Sequence, residues 1–148
     1  MLTSASLSIP LWCLLAFAAW TLLVLGFTIG VHRWSHILTR RADFATYGEY
    51  RIEGTGFYPR GMRAHANCVE NLPIFAAIVL VIVATGLRGP TLDMLSLVVI
   101  CARVPHTFVH VAFDQGNNVV VGFRSILYII QFLAMLAMIV VIVVQLVT

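Results

Sequence analysis

Four apolar runs, each able to cross a lipid bilayer, leave this chain very few ways to fold. They cover about Ile9 to Val31, Leu72 to Leu87, Leu92 to Phe113 and Val121 to Val147. A spanning helix needs about 20 residues. The second run is short alone, and the segment Arg63 to Asn71 extends it to a span of 63–87. Lipid offers no hydrogen bonds to open backbone groups, so the runs are read as helices despite their many valines and isoleucines. The composition agrees: 61% of residues are hydrophobic and 10% charged, against about 25% charged in a soluble domain. The expected fold is all-α, one integral membrane four-helix bundle over residues 1–148, with no room for a separate soluble domain.

The connections set the orientation. Arg33, Arg40, Arg41, Arg51 and Arg60 cluster in the long first connection, whereas Arg88-Gly89-Pro90-Thr91 and Asp114-Gln115-Gly116-Asn117-Asn118 are short turns. The positive-inside rule places the 32–62 connection in the cytoplasm and both termini outside. The first run lacks a positive leading segment and is too long for a cleaved signal, so it reads as a retained helix. All nine basic residues are arginine. A codon bias accounts for arginines far from any site, such as Arg88, while bidentate anion binding favours arginine at a site. The missing lysine and short turns point to a bacterial inner membrane. Cys13, Cys68 and Cys101 are scattered, which suits apolar filling rather than a disulfide framework or a metal site.

The polar residues inside these spans are few and ordered. Arg63, Asn67 and Glu70 fall within roughly 60° on one helix face. Arg103, His106, His110 and Asp114 form a second stripe, and Arg124, Tyr128 and Gln131 a third, with Ser125 beside it. At about 1.5 Å per residue, these groups lie in the half of the bilayer next to the arginine-rich connection. Charges at such depth cost several kcal/mol unless paired or used. The distribution describes a pocket open to the cytoplasm. Its arginines offer forked donors to carboxylates, Glu70 an acceptor for an ammonium, Asn67 an amide partner, and Tyr128 and Ser125 hydroxyls. A small acidic peptide such as glutathione matches that set.

The run Arg-Ala-His-x-Asn-x-x-Glu-x-x-x-Pro-x-Phe, beginning at Arg63, resembles the second-helix signature of the MAPEG family, membrane-associated proteins in eicosanoid and glutathione metabolism. Arg103-Val104-Pro105-His106-Thr107 and Arg124-Ser125-Ile126-Leu127-Tyr128 resemble segments of its glutathione transferase and prostaglandin E synthase branches. The resemblance spans essentially the whole chain. It implies a homotrimer with glutathione bound between neighbours near the cytoplasmic face. Asn67, Glu70, His106, Arg124, Ser125 and Tyr128 would contact glutathione, with Arg33 a further candidate for a carboxylate; Arg63, Arg103 and His110 join the candidate set from their places on the polar stripes. Arg124 would stabilise the thiolate, with Ser125 beside it. Ala66 stands where some relatives place a further arginine, and His110 where relatives often have tyrosine.

The implied activity is a glutathione-dependent transferase or peroxidase acting on lipophilic electrophiles or hydroperoxides. A thiol of pKa about 8.5 is only a few per cent ionised at neutral pH. Lowering it by two units requires about 2.7 kcal/mol, within reach of one arginine. Membrane lipid and a hydrophobic small molecule are the expected further partners, and no nucleic acid or metal is expected. Two other classes compete: a non-catalytic lipid-binding protein of the same fold, and a haem-binding bundle, since His32/His36 and His106/His110 are each spaced for one helix face. Four spans without inverted halves or broken helix pairs argue against a transporter. Bland readings stand beside these. Glu70 and Arg103 suit a structural pair, Arg40, Arg41, Arg51 and Arg60 suit lipid headgroups, and Asp114 suits a helix cap.

Overall fold

The computed structural model describes residues 8–41, 56–113, 116 and 118–148. Arg51 and Asp114 therefore lie outside the described residues. The first span is one rod, Ile9–Leu38, made of α1 (Ile9–Val24), a π-helical turn (Leu25–Gly30) and α2 (Val31–Leu38). The other spans are α3 (Phe57–Thr85), α4 (Pro90–Ala112) and α5 (Asn118–Val147). All four rods are long and apolar enough to cross a membrane. The expected bundle is what forms, with two differences in length. The first helix runs on to Leu38 rather than stopping at Val31, and α3 begins at Phe57 rather than Arg63. Polar residues beyond the bilayer level do not end a helix whose own hydrogen bonds are already running.

The turn between α3 and α4 is chemically explicit. Gly86 adopts φ 69° and caps α3, its N–H donating to the Val83 carbonyl, and Pro90 opens α4. That left-handed conformation is cheap only for glycine, and proline's fixed φ suits a first helical turn. Pro73 and Pro105 sit inside α3 and α4. Each removes one backbone donor, a loss that packed membrane helices tolerate.

The core is apolar and central. Phe17, Cys68, Phe75, Val79, Val99 and Met138 are fully enclosed, and the Phe17 and Phe75 rings lie 6.0 Å apart. α4 packs most extensively on α5, while α1 touches both α3 and α4. Outward faces are lined with exposed Leu, Val, Ile and Phe, a pattern that water would not tolerate and lipid does.

The π-helical turn re-aims the end of the first rod. Pro10, Cys13, Phe17, Thr21 and Val24 form the buried stripe of α1. Continued as a straight α-helix, that stripe would bring Ser35 inward and leave Arg33 about 160° away. The extra residue of the turn rotates everything after it by about 100°. Val31 is 58% exposed and Ser35 is exposed, whereas His32, Arg33 and His36 are half-buried. Within the turn the Val31 N–H donates five residues back to Gly26, and the Thr28 hydroxyl donates to the Val24 carbonyl at 2.5 Å. Thr28 then presses on α3, where a Cβ added at Gly61 would lie 2.6 Å from its Cβ.

Glycine at 61 is thus the condition for the π-helical turn to meet α3. Gly61→Val should destabilise the bundle by about 1–3 kcal/mol, the usual cost of overpacking, and Thr28→Gly in the same chain should recover much of it. Thermal unfolding in detergent reads this directly, and an unaltered melting temperature for Gly61→Val would mean the two helices do not touch there.

Candidate functional site

Helical spacing brings the polar residues together. Asn67 comes from α3, His106 and His110 from α4, and Arg124, Ser125, Tyr128 and Ile129 from α5. They line one cavity of about 370 Å³ at the arginine-rich end of the bundle, a size that suits a small-molecule ligand. On α4, positions 106 and 110 are one turn apart, and on α5 positions 124 and 128 likewise, so each pair projects the same way. The His106 and His110 rings are 6.1 Å apart, and the Tyr128 ring is 6.3 Å from that of His106. The Ser125 hydroxyl donates to the Val121 carbonyl at 2.8 Å, so it meets a ligand as an acceptor or after rotating. Tyr128 is 41% exposed and Ser125 is exposed, so one wall of the cavity is open along α5.

Beneath the cavity lies the deepest charge. Arg103 is fully buried, and its Nη1 donates to the Asn67 side-chain oxygen. Its guanidinium carbon stands 5.1 Å from the Phe17 ring centre, a cation–π arrangement. Its Nε and Nη2 meet no acceptor among the described residues, and neither does His106 Nδ1 have a partner there. The Asn71 amide donates to the Asn67 backbone carbonyl at 2.8 Å, and Gln131 from α5 approaches Asn71 Oδ1 at 3.5 Å. Thr107 donates to the Arg103 carbonyl at 3.0 Å and touches Cys68 Sγ at 3.6 Å. A polar layer thus ties α3, α4 and α5 under the cavity floor.

Six of the ten candidate residues meet in this cavity. The others are placed differently. Arg103 supports the floor through Asn67. Arg63 is half-buried one turn before Asn67 and outside the lining. Glu70 is exposed on α3, and Arg103 pairs with Asn67 rather than with Glu70. Arg33 donates through Nε to the Tyr58 hydroxyl at 2.7 Å, and His32 stacks on the same ring at 4.5 Å. Tyr58 lies about 180° around α3 from Asn67, so Arg33 serves the opposite flank of that helix within one chain. Tyr58 and Asn71 escaped the sequence reading. An aromatic five residues before Arg63 is the signal that would have found Tyr58, once α3 is known to start at Phe57.

The two histidine pairs have different surroundings, His32 stacking on Tyr58 and His106 lying against Tyr128 of α5. Among the described residues no group of three or more His, Cys, Asp or Glu side chains is placed to hold a metal ion. Cys13 and Cys68 are buried and Cys101 is exposed, all as free thiols.

Comparison with known proteins gives one match. The profile of the MAPEG family matches residues 9–144, nearly the whole chain. No curated protein and no solved structure matches.

The Arg103–Asn67 bond should be measurable by mutation. Asn67→Ala would leave a buried guanidinium without its acceptor, at a cost of about 3–5 kcal/mol. Asn67→Leu combined with Arg103→Met should regain most of that loss. A double-mutant cycle on detergent unfolding checks it, and simple additivity of the two changes would show that the residues do not interact.

Proposed function

The chain belongs to the MAPEG family, and on that premise we propose that it is a glutathione-dependent membrane transferase or peroxidase that works by activating the glutathione thiol. The chain's family is one of membrane proteins in glutathione and eicosanoid metabolism, and it includes both enzymes and non-catalytic members. The observation that carries the catalytic reading is the cavity itself. Arg124, Ser125 and Tyr128 stand in one wall, and Asn67, His106 and His110 in the others.

In this reading Arg124 faces the cysteine sulfur of glutathione and holds it as thiolate, while Ser125 and Tyr128 supply hydroxyls beside it. Asn67 and His106 bind the peptide groups. Arg63, one turn up α3 towards the arginine-rich end, takes a carboxylate. Arg103 acts from below by fixing Asn67. The thiol proton leaves to solvent, and the thiolate forms a sulfur–carbon bond with an electrophile that enters from the lipid; the electron pair of the broken bond departs with the leaving group or, where the electrophile is an epoxide or an activated alkene, is protonated by solvent. With a hydroperoxide, the thiolate attacks the terminal oxygen and the O–O bond breaks. The alkoxide takes up a proton, and a second glutathione converts the sulfenic acid to disulfide and water.

The open side of the cavity supports a homotrimer. Glu70 is exposed near the middle of α3, and a carboxylate facing lipid at that depth costs several kcal/mol. A neighbouring copy covering α3 and α5 would shield Glu70, close the cavity and bring its own Arg33 within range. The arginine-rich end would face the cytoplasm, where glutathione is abundant, with both termini on the other side of a bacterial inner membrane.

Arg124→Ala is expected to abolish the thiolate absorbance near 240 nm and lower turnover by about a hundredfold, with assembly intact. Glu70→Gln should weaken glutathione binding. Saturable glutathione binding with a thiolate signal at neutral pH would support the enzyme. No binding at millimolar glutathione would move the non-catalytic lipid-binding member to first place.

A further inference from the structure

A second cavity lies on the other flank of α4. Trp20, Val24 and Phe27 line it from the first rod, and Thr107, Phe108 and Val111 from α4. Its volume is about 280 Å³, and no polar atom reaches its surface. Phe108 and Val111 stand about 140–160° around α4 from His106, so the helix itself separates this groove from the site. Phe27 and Phe108 are 69% and 62% exposed. The π-helical turn forms part of the groove's wall, since Phe27 and Thr28 both belong to it.

The two flanks differ in what they tolerate. The Glu70 flank carries a carboxylate and needs protein against it. The groove flank is purely apolar and is at home in lipid. Its mouth carries a charge, however. The Arg60 guanidinium donates through Nε to the Val111 carbonyl at 3.0 Å, and Val111 lines the groove. Next to Arg60, Gly61 lies against Thr28, which lines the opposite wall. The chain thus holds a cation at the arginine-rich end of a slot wide enough for a hydrocarbon chain.

We propose that the α1–α4 groove binds an anionic glycerophospholipid of the leaflet at the arginine-rich end. One acyl chain lies along Trp20, Phe27 and Phe108, and the phosphate sits at Arg60. This lipid is distinct from any substrate, because α4 stands between it and the cavity at His106. The proposal is independent of glutathione chemistry, and its test uses none.

Trp20 is the natural reporter. A chain carrying Trp12→Phe and Trp34→Phe keeps Trp20 as its only tryptophan. It is reconstituted into phosphatidylcholine vesicles containing small amounts of either phosphatidylglycerol or phosphatidylcholine brominated in mid-chain. The brominated phosphatidylglycerol should quench Trp20 with about fivefold higher apparent affinity, the preference one arginine gives an acidic headgroup. Arg60→Gln keeps a donor for Val111 and should remove the preference. Val111→Phe, which fills the slot, should remove the quenching. Equal quenching by both lipids would reduce the site to ordinary boundary lipid and overturn the proposal. Absence of quenching by either lipid would mean that a second copy covers the groove, and would overturn it as well. A preference that survives Arg60→Gln would overturn the assignment of the headgroup.

Discussion

Much of this structure depends on one charged hydrogen bond made far from water. Arg103 is fully enclosed, and its Nη1 donates to Asn67. A guanidinium in such a place is tolerable only with acceptors and a polarisable neighbour around it. The Asn67 amide oxygen supplies one acceptor and the Phe17 face the neighbour, while Nε and Nη2 meet no acceptor among the described residues. Because the donor is on α4 and the acceptor on α3, the bond sets the relative height of the two helices. Asn67 is also a wall of the cavity. The same contact that makes the charge tolerable therefore places a ligand-facing amide, and Asn71 and Gln131 extend the polar layer to α5.

The bundle is two-sided as a consequence. Polar side chains on α3 and α5, from Glu70 to Tyr128, lie where a monomer would show them to lipid. The α1–α4 groove exposes only apolar surface below Arg60. One face asks for protein and the other accepts lipid, and the difference is large because each misplaced charge costs several kcal/mol. Arginines gather at one end of both faces, where Arg60 holds the α4 terminus through the Val111 carbonyl.

The sequence made the spans and most of the site legible because both depend on period. Apolar run length gives the helices, and a 100° step puts His106 with His110 and Arg124 with Tyr128, which is how the cavity uses them. The same arithmetic failed where the period itself changes. Nothing in Leu25-Gly26-Phe27-Thr28-Ile29-Gly30 announces an extra residue per turn, although two glycines and a threonine able to occupy a backbone carbonyl permit one. The extra residue brings Arg33 round to α3, where it donates to the Tyr58 hydroxyl. The Glu70–Arg103 pair considered from charge alone is not what forms: Arg103 donates to half-buried Asn67, and Glu70, about 60° further round α3, is exposed.

The chemistry assigned to Arg124 does not need the deeper arginine to touch the thiol. Two unit charges 4 Å apart attract by about 4 kcal/mol at an effective dielectric of 20. Two pKa units need about 2.7 kcal/mol, so one guanidinium at contact distance is sufficient even after some desolvation of the pair. A second arginine at the sulfur would add self-repulsion between the cations without being required. That division suits the geometry. Arg124 stands in the cavity wall near bulk solvent, where its charge is cheap to keep. Arg103 stays below, where its bond to Asn67 gives the wall its shape.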